Sequence, residues 1–500
     1  MNKLNPSQTE AVNFSGGHLL IVAGPGTGKT HTLARRAAKT VEKLKGLQKV
    51  LAITFTSKAA EELRARLSAL NVPPEKIFAG TFHSFCLDIL KSFPGEARLP
   101  PGWQVAAREL VEQLVRKLWP ERSKKERNRA LEEISRWKSA PNSVKPEVVE
   151  NYDNFLRGQG VLDYDDLLCE TLLLLEKNPA VTEELRKNFP FIFVDEYQDI
   201  NPAQHALLKI LAGENGQVTA IGDPNQAIYG FRGSDSKLFA EFAGDFTGAK
   251  ILSLSDNYRS TKNLISASTQ VIAKGSAPHV PELVANIYTE GRLTVHESAT
   301  EKAEAEFVVH QIEKLVGGTS MFSQDSGRVA REEEAGVSFG DVAVLYRLKS
   351  QARALKEAFD RSGIPYHLAG KADSDDVCPP REEEVSFAAE KVSLMTLHAA
   401  KGLEFAVVFI AGCEDNLLPL CLGNLVSDQE EERRLLYVGM TRAKGRLYLL
   451  YAKKRMLYGK MYQQTPSPFL KDIEDGLKDY ELNLHKKKSP KRDQMLLFKM

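Results

Sequence analysis

The chain has 500 residues, 42% of them hydrophobic, which is too much apolar material for one core and sets an expectation of three or four domains. A formal net charge of +1 excludes a uniformly basic nucleic-acid coat but leaves room for a local basic channel. The longest apolar runs, such as FIFV at 191–194, are strand-length and far short of the ~20 residues of a membrane helix. The N-terminus is polar from Asn2 onward, so no signal peptide is expected. The five cysteines include no C-x-x-C pair, which argues against disulfides and zinc and suits a reducing cytoplasm.

In chain order, HLLIVA predicts a buried strand, AGPGTGKT (23–30) a glycine-rich turn, and HTLARRAAKTV a helix. Strand, turn and helix in that order are the setting in which GKT holds a nucleotide phosphate. Glycine lets the backbone N–H groups converge on an anion, and the helix N-terminus adds partial positive charge. Ala23, Gly24, Pro25, Gly26, Thr27 and Gly28 would form the cradle, Lys29 would meet the outer phosphates, and Thr30 would hold a magnesium ion. ATP or GTP binding follows.

KVLAITFT predicts the next strand. Residues 94–188 are charged and helix-rich, as in SKKERNRALEEISRWKS, with no convincing strand, so they read as a helical insertion splitting a first α/β unit of 1–93 and 189–255. PFIFVDE, VTAIGDP and AKILSLS then predict strands that each end near a polar or acidic residue, as ligand-facing strands do in open parallel sheets. FIFVDEYQDIN puts Asp195 and Glu196 at the end of a buried strand, Asp195 to hold magnesium and Glu196 to orient and deprotonate the attacking water. Alone such a pair is a weak signal; beside a phosphate loop it is strong. A second α/β unit follows over 256–480, with strands at DVAVLYR, KVSLMTLH, AVVFIAG and RLYLLYA. The polar stretch 317–336 and the acidic stretch 372–384 read as loops or linkers, and the basic tail 481–500 as disordered up to its last few residues.

VDEYQD, IGDPNQAIYGFRG, DNYRST, MTLHAAKGLEF and LLYVGMTRAK, in that order, resemble the motifs of the UvrD/Rep family of superfamily 1 DNA helicases, with matches from Leu4 to about Ala452. The resemblance implies an α/β protein with two RecA-like P-loop NTPase domains that close on ATP and Mg2+. Gln8 in LNPSQ would read adenine, since its amide both donates and accepts. Tyr258 would stack on the base, Glu404 would contact the ribose, and Gln226 would touch the terminal phosphate or its water. Arg259 and Arg442 look like arginine fingers, surface ion pairing being the bland alternative.

On the DNA side the family grips single strands by stacking bases on aromatic rings, worth about 1–3 kcal/mol per base, beside groups that track phosphates. The matching positions are Phe55, Thr56, Thr81, His83, Tyr229, Phe231 and Arg232, with Arg347 and His398 from the second unit. Phe55 or Tyr229 alone could equally be core residues.

Four departures stand out. Most family members carry Trp where Phe231 stands; His31 replaces an arginine; GDPNQ replaces GDDDQ; and the 372–391 linker stands where a helical subdomain of well over a hundred residues is usual. No room remains after residue 480 for a nuclease domain. The terminal QMLLF resembles the bacterial sliding-clamp-binding peptide, with Gln494, Leu497 and Phe498 as its contacts; alternatively the apolar residues pack back on the second domain, or the basic run 486–492 only adds DNA affinity. The expectation is a cytoplasmic ATP-dependent single-stranded DNA translocase and 3′-to-5′ helicase in repair or replication, acting on single-stranded and tailed duplex DNA and on no membrane. The alternative is an ATP-switched, clamp-recruited factor with little unwinding of its own.

Overall fold

A computed structural model describes residues 3–141, 144–275, 282–287, 289–317, 336–369, 390–423 and 425–481. Most of both expected linkers, Cys378 and the clamp-like peptide with Gln494, Leu497 and Phe498 lie outside the described residues.

The first unit is built on six strands, Leu19–Ala23 (β1), Val50–Thr54 (β2), Ile77–Thr81 (β3), Phe191–Val194 (β4), Gln217–Gly222 (β5) and Lys250–Leu254 (β6), in the order β3-β2-β4-β5-β1-β6. Every pairing is parallel. Helices cover both faces, so interior strands such as β2 are buried throughout and read as continuous apolar runs rather than alternating ones.

Asp256–Thr261 (β7) pairs with Val284–Ile287 (β8) where the second unit begins. Its main sheet joins Arg292–Ser298 (β9), Val342–Tyr346 (β10), Tyr366–Leu368 (β11), Val392–Thr396 (β12), Phe405–Ala411 (β13), Ala443–Ala452 (β14) and Asp479–Glu481 (β15) in the order β11-β12-β10-β13-β14-β9-β15. These pairings too are all parallel, so both units have the expected α/β architecture.

The insertion has its own core, from Ala106 to Val161, among helices Arg108–Leu118, Lys124–Ser139 and Glu147–Gly158. Two corrections apply here. The insertion does contain strand, since Gln104–Val105 pairs with Val161–Leu162, two residues each and too short to leave a periodic signal. Helices Asp166–Lys177 and Pro179–Asn188, counted above with the insertion, pack instead into the core of the first unit through Leu167, Leu168, Leu172, Val181 and Leu185.

The insertion is fixed to that core by charge. Lys138, buried at the end of its helix, reaches Asp153 at 2.9 Å, Asp163 at 2.9 Å and Asp166 at 2.5 Å. Asp163 and Asp166 also accept each other's backbone N–H, at 2.7 and 2.9 Å. Burying one ammonium is tolerable only because several carboxylates surround it. No helix among the described residues is long and apolar enough to cross a membrane.

Candidate active site and nucleic-acid interface

The phosphate loop leaves the carboxyl end of β1 and enters helix Lys29–Val41 with Gly28 as its N-cap, at φ 81°. Gly26 is also left-handed, at φ 69°, and a Cβ there would lie 2.6 Å from Arg259 Cβ, so glycine serves both the turn and the approach of β7. Two bonds hold that approach: Asn257 Nδ2 donates to Pro25 O at 2.7 Å, and Tyr258 N to Gly26 O at 2.9 Å. Thr27 Oγ1 donates to Gly24 O at 2.8 Å, tightening the loop. Lys29 Nζ donates to Ala23 O at 3.2 Å and Gly24 O at 3.3 Å.

Thr30 Oγ1 donates to Asp195 Oδ2 at 3.2 Å, so the two expected magnesium ligands meet. Both offer hard oxygen, and burial, then the neighbouring Glu196, pushes Asp195 up to about 7, a strain that a bound cation would relieve. Among the described residues no group of three or more His, Cys, Asp or Glu is placed to hold a metal ion.

Glu196 follows β4 in a left-handed conformation, φ 52°, that a non-glycine residue adopts only where its surroundings enforce it. Asp199 N donates to its carbonyl at 2.9 Å, and Gln198 Nε2 donates to its carboxylate. Burial works against the charged form, but Lys29, Lys401, the Gln198 amide and Arg442 outweigh it and hold the carboxyl below its ordinary range. Glu196 is therefore ionised and able to accept a proton.

Arg442 is 1% exposed and bonds to Val438 O at 2.9 Å, Leu403 O at 3.1 Å and Gln226 Oε1 at 3.4 Å. It faces the first unit's site rather than pairing on the surface. Gln226 is held in turn by Asp223 Oδ2, which accepts from its Nε2 at 2.7 Å. Arg259 differs: its Nε donates to Glu404 Oε2 at 2.7 Å, and Lys444 approaches the other Glu404 oxygen at 2.8 Å. Glu404, expected at the ribose, is here the partner of two cations. On the base side, Gln8 Nε2 donates to Thr27 O at 3.0 Å, and the half-exposed Tyr258 accepts from Asn5 Nδ2 at 3.0 Å. His31 accepts from Arg35 Nε at 2.9 Å.

Of the residues expected on the DNA side, Phe55, Tyr229, Phe231, Arg232 and His398 come together in one cluster. Phe55 and Tyr229 stack, with centroids 5.3 Å apart and planes 9° from parallel; Phe231, half-exposed, meets the His398 ring edge-on at 5.3 Å. Arg232 lies over Tyr229 at 4.9 Å and Phe231 at 5.4 Å. Thr56 and Thr81 cap helices Ser57–Ala69 and Phe82–Ser92, accepting from Ala59 N at 3.1 Å and Ser84 N at 3.2 Å. His83 stacks on the exposed Tyr164 at 4.0 Å. Arg347 is engaged with Glu432, to which its Nη2 donates at 2.7 Å.

Two residues that the sequence reading passed over join these faces. Lys401, from the loop after β12, places Nζ 2.7 and 2.5 Å from the two Asp199 oxygens and 2.5 Å from Gln226 O, and lies 4.9 Å over the Tyr229 ring. Its motif position was visible, but its partners belong to another unit. Asn5, read only as part of LNPSQ, bonds to Asp256 Oδ2 at 2.7 Å as well as to Tyr258.

Residues 4–247 match the UvrD/REP helicase N-terminal domain, and 252–373 with 379–454 match the UvrD-like helicase C-terminal domain. An ATP-dependent DNA helicase PcrA of Staphylococcus epidermidis is 27% identical over 672 residues, covering 98% of this chain and 90% of the relative. A protein of the same name from Staphylococcus aureus is 27% identical over 652 residues, covering 95% and 87%. Both alignments are longer than the 500-residue chain, so the relatives hold stretches without a counterpart here. With both domain families matched in order over most of its length, the chain belongs to the UvrD/REP helicase family.

Proposed function

We infer that the chain is an ATP-dependent DNA helicase acting in DNA repair or replication, and that it steps 3′ to 5′ along single-stranded DNA. The observation behind this reading is that groups of both units meet beside the phosphate loop: Thr30 and Asp195 bond within the first, Arg442 of the second bonds to Gln226 of the first, and the Cβ of Arg259 lies against Gly26. Magnesium, held by Thr30 and Asp195, would supply positive charge to the phosphate oxygens. Glu196 takes a proton from the attacking water, and Lys29 and Arg442 stabilise the charge on the transferring phosphoryl group. Arg259 joins them by exchanging Glu404 for phosphate. Closure and opening of the cleft shift the aromatic face relative to the strand, so each turnover moves the protein along DNA.

Steady-state ATP hydrolysis with and without oligo-dT, followed by unwinding of duplexes with a 3′ or a 5′ tail, tests this. Stimulated hydrolysis with unwinding from the 3′ tail alone is expected; preference for the 5′ tail would reverse the polarity, and absence of stimulation would remove the DNA assignment. The short 372–391 linker, together with the longer relatives, supports a chain lacking most of the second helical insertion, so unwinding should be slow relative to hydrolysis. The alternative, an ATP-switched, clamp-recruited DNA-binding factor with little unwinding of its own, is not favoured by the family. The peptide with Gln494, Leu497 and Phe498 is proposed as a clamp tether; titrating a 482–500 peptide against a bacterial sliding clamp would test it, and no binding would dismiss it.

A further inference from the structure

Gln198 is wholly buried and stands outside the hydrolytic set assigned above, yet its amide touches three residues around that set. Its Oε1 accepts from Asp223 N, just past the end of β5, at 3.0 Å. Its Nε2 donates one hydrogen to the Glu196 carboxylate and turns the other toward Asp199 Oδ2 at 3.5 Å. The reverse orientation of the amide would set oxygen against two carboxylates and N–H against N–H, so a single orientation is enforced. The last residue of β5 makes room for it: a Cβ on Gly222 would lie 2.2 Å from Gln198 Oε1. Glycine at that strand end thus answers to the approach of one side chain.

Lys29, Lys401 and Arg442 act on the Glu196 carboxylate by charge. Charge attraction keeps a carboxylate ionised but has little preference for where its oxygens face, whereas an N–H donor is directional. A general base must present an oxygen within hydrogen-bond reach of the proton it takes, so direction is what the amide adds. The amide is backed in turn by Asp199, whose two oxygens accept from Lys401 Nζ at 2.7 and 2.5 Å. Lys401 belongs to the second unit, bonds also to Gln226 O at 2.5 Å, and lies over the Tyr229 ring. Lys401, Asp199, Gln198 and Glu196 therefore form one unbroken run of polar contacts between the two units.

Building on the ATPase reading above, we propose that Gln198 is a positioning residue for hydrolysis: its amide sets the direction of the Glu196 carboxylate, and the Lys401–Asp199 pair holds the amide in place. Two variants separate the donor from everything else the side chain does. Gln198→Glu keeps an acceptor for Asp223 N and replaces only the donor. Gln198→Met has similar length, removes the donor without adding charge, and leaves Asp223 N unpaired. The disturbances differ, and the missing donor is what the two have in common.

Steady-state ATP hydrolysis in saturating oligo-dT would be measured for the unmodified chain, both Gln198 variants, Lys401→Met and the pair Gln198→Met/Lys401→Met. Each Gln198 variant should lower kcat about a hundredfold, as misplacing a reacting group by about 1 Å does. KM for ATP should change by less than about twofold, since the phosphate-loop contacts are untouched. The pair should be slower than Gln198→Met by no more than about threefold, because residues on one run of bonds do not act additively. Normal kcat in either Gln198 variant would overturn the proposal. So would a KM that rises as far as kcat falls, the mark of a disordered site, or a pair whose two losses multiply, which would detach Lys401 from the amide. If the unmodified chain hydrolysed no ATP, the ATPase reading itself would fall; normal hydrolysis with both Gln198 variants indifferent would remove only the role of Gln198.

Discussion

His398, at the aromatic cluster, and His83, stacked on Tyr164, are both neutral rings. Burial, with Arg347, Arg232 and Lys401 adding to it, pushes His398 down to about 3, and burial pushes His83 down to about 4 against the opposing pull of Asp163. Both values lie below the ordinary 6.5, so the unfolded chain binds the protons first. The stability these rings contribute is therefore present above pH 6.5 and is lost as pH falls toward 4 and 3. Between pH 6 and 8 neither ring changes charge in the folded protein. Oligo-dT affinity, followed by fluorescence anisotropy at fixed salt, should accordingly be flat across that range; a rise toward pH 6 would mean that one of them protonates on the DNA. Both histidines could be picked from the sequence by their motifs, but their charge state could not, because the cations acting on His398, two arginines and a lysine, come from three separate stretches of the chain.

Among the elements, the helical insertion depends on one ion cluster. Lys138 and its three aspartates are almost wholly removed from water, and breaking such a cluster by deleting one partner costs about 3–5 kcal/mol, since the remaining charges stay buried. Lys138→Met should therefore raise hydrogen exchange in helices Lys124–Ser139 and Glu147–Gly158 while β1, β2 and β4 remain protected. Unchanged exchange would show that the apolar core from Ala106 to Val161 suffices alone. Nothing in SRWKS distinguishes this lysine from a surface one; its partners lie 15 to 28 residues further on, and only folding gathers them. The interior strands were legible because parallel strands buried on both faces leave unbroken apolar runs. β3 and β9 left no such run: IFAGT contains a glycine and is half-covered, and RLTVHES ends in polar residues.

At the scale of the whole molecule, the first unit carries both sets of proposed groups on one edge of its sheet. The carboxyl ends of β4, β5 and β1 carry the groups proposed for the nucleotide, and those of β3 and β2 carry groups proposed for DNA beside them. The second unit divides the work: Glu404 and Arg442 precede the amino ends of β13 and β14, whereas Arg347 and His398 follow the carboxyl ends of β10 and β12. Motif order told which residues belong together but not this division, which depends on how one sheet is turned toward the other. Lys401 spans the junction, and Lys401→Met should lower DNA-stimulated ATP hydrolysis about tenfold or more by leaving Asp199 buried and unpaired, with Lys401→Arg recovering part of it. Hydrolysis rates over a range of oligo-dT concentrations would reveal the loss; full stimulation in Lys401→Met would place the coupling elsewhere. The edge strand β15 has a mechanical meaning. It pairs in parallel with β9, Asp479 opposite Thr294 through Glu481 opposite His296, two strands beyond β14. Tension on the chain beyond Glu481 acts along the β15 axis, so its bonds to β9 resist in shear, all at once, and the force enters the sheet at its rim. A motor moored from that end could be pulled taut without its jaws being pried apart.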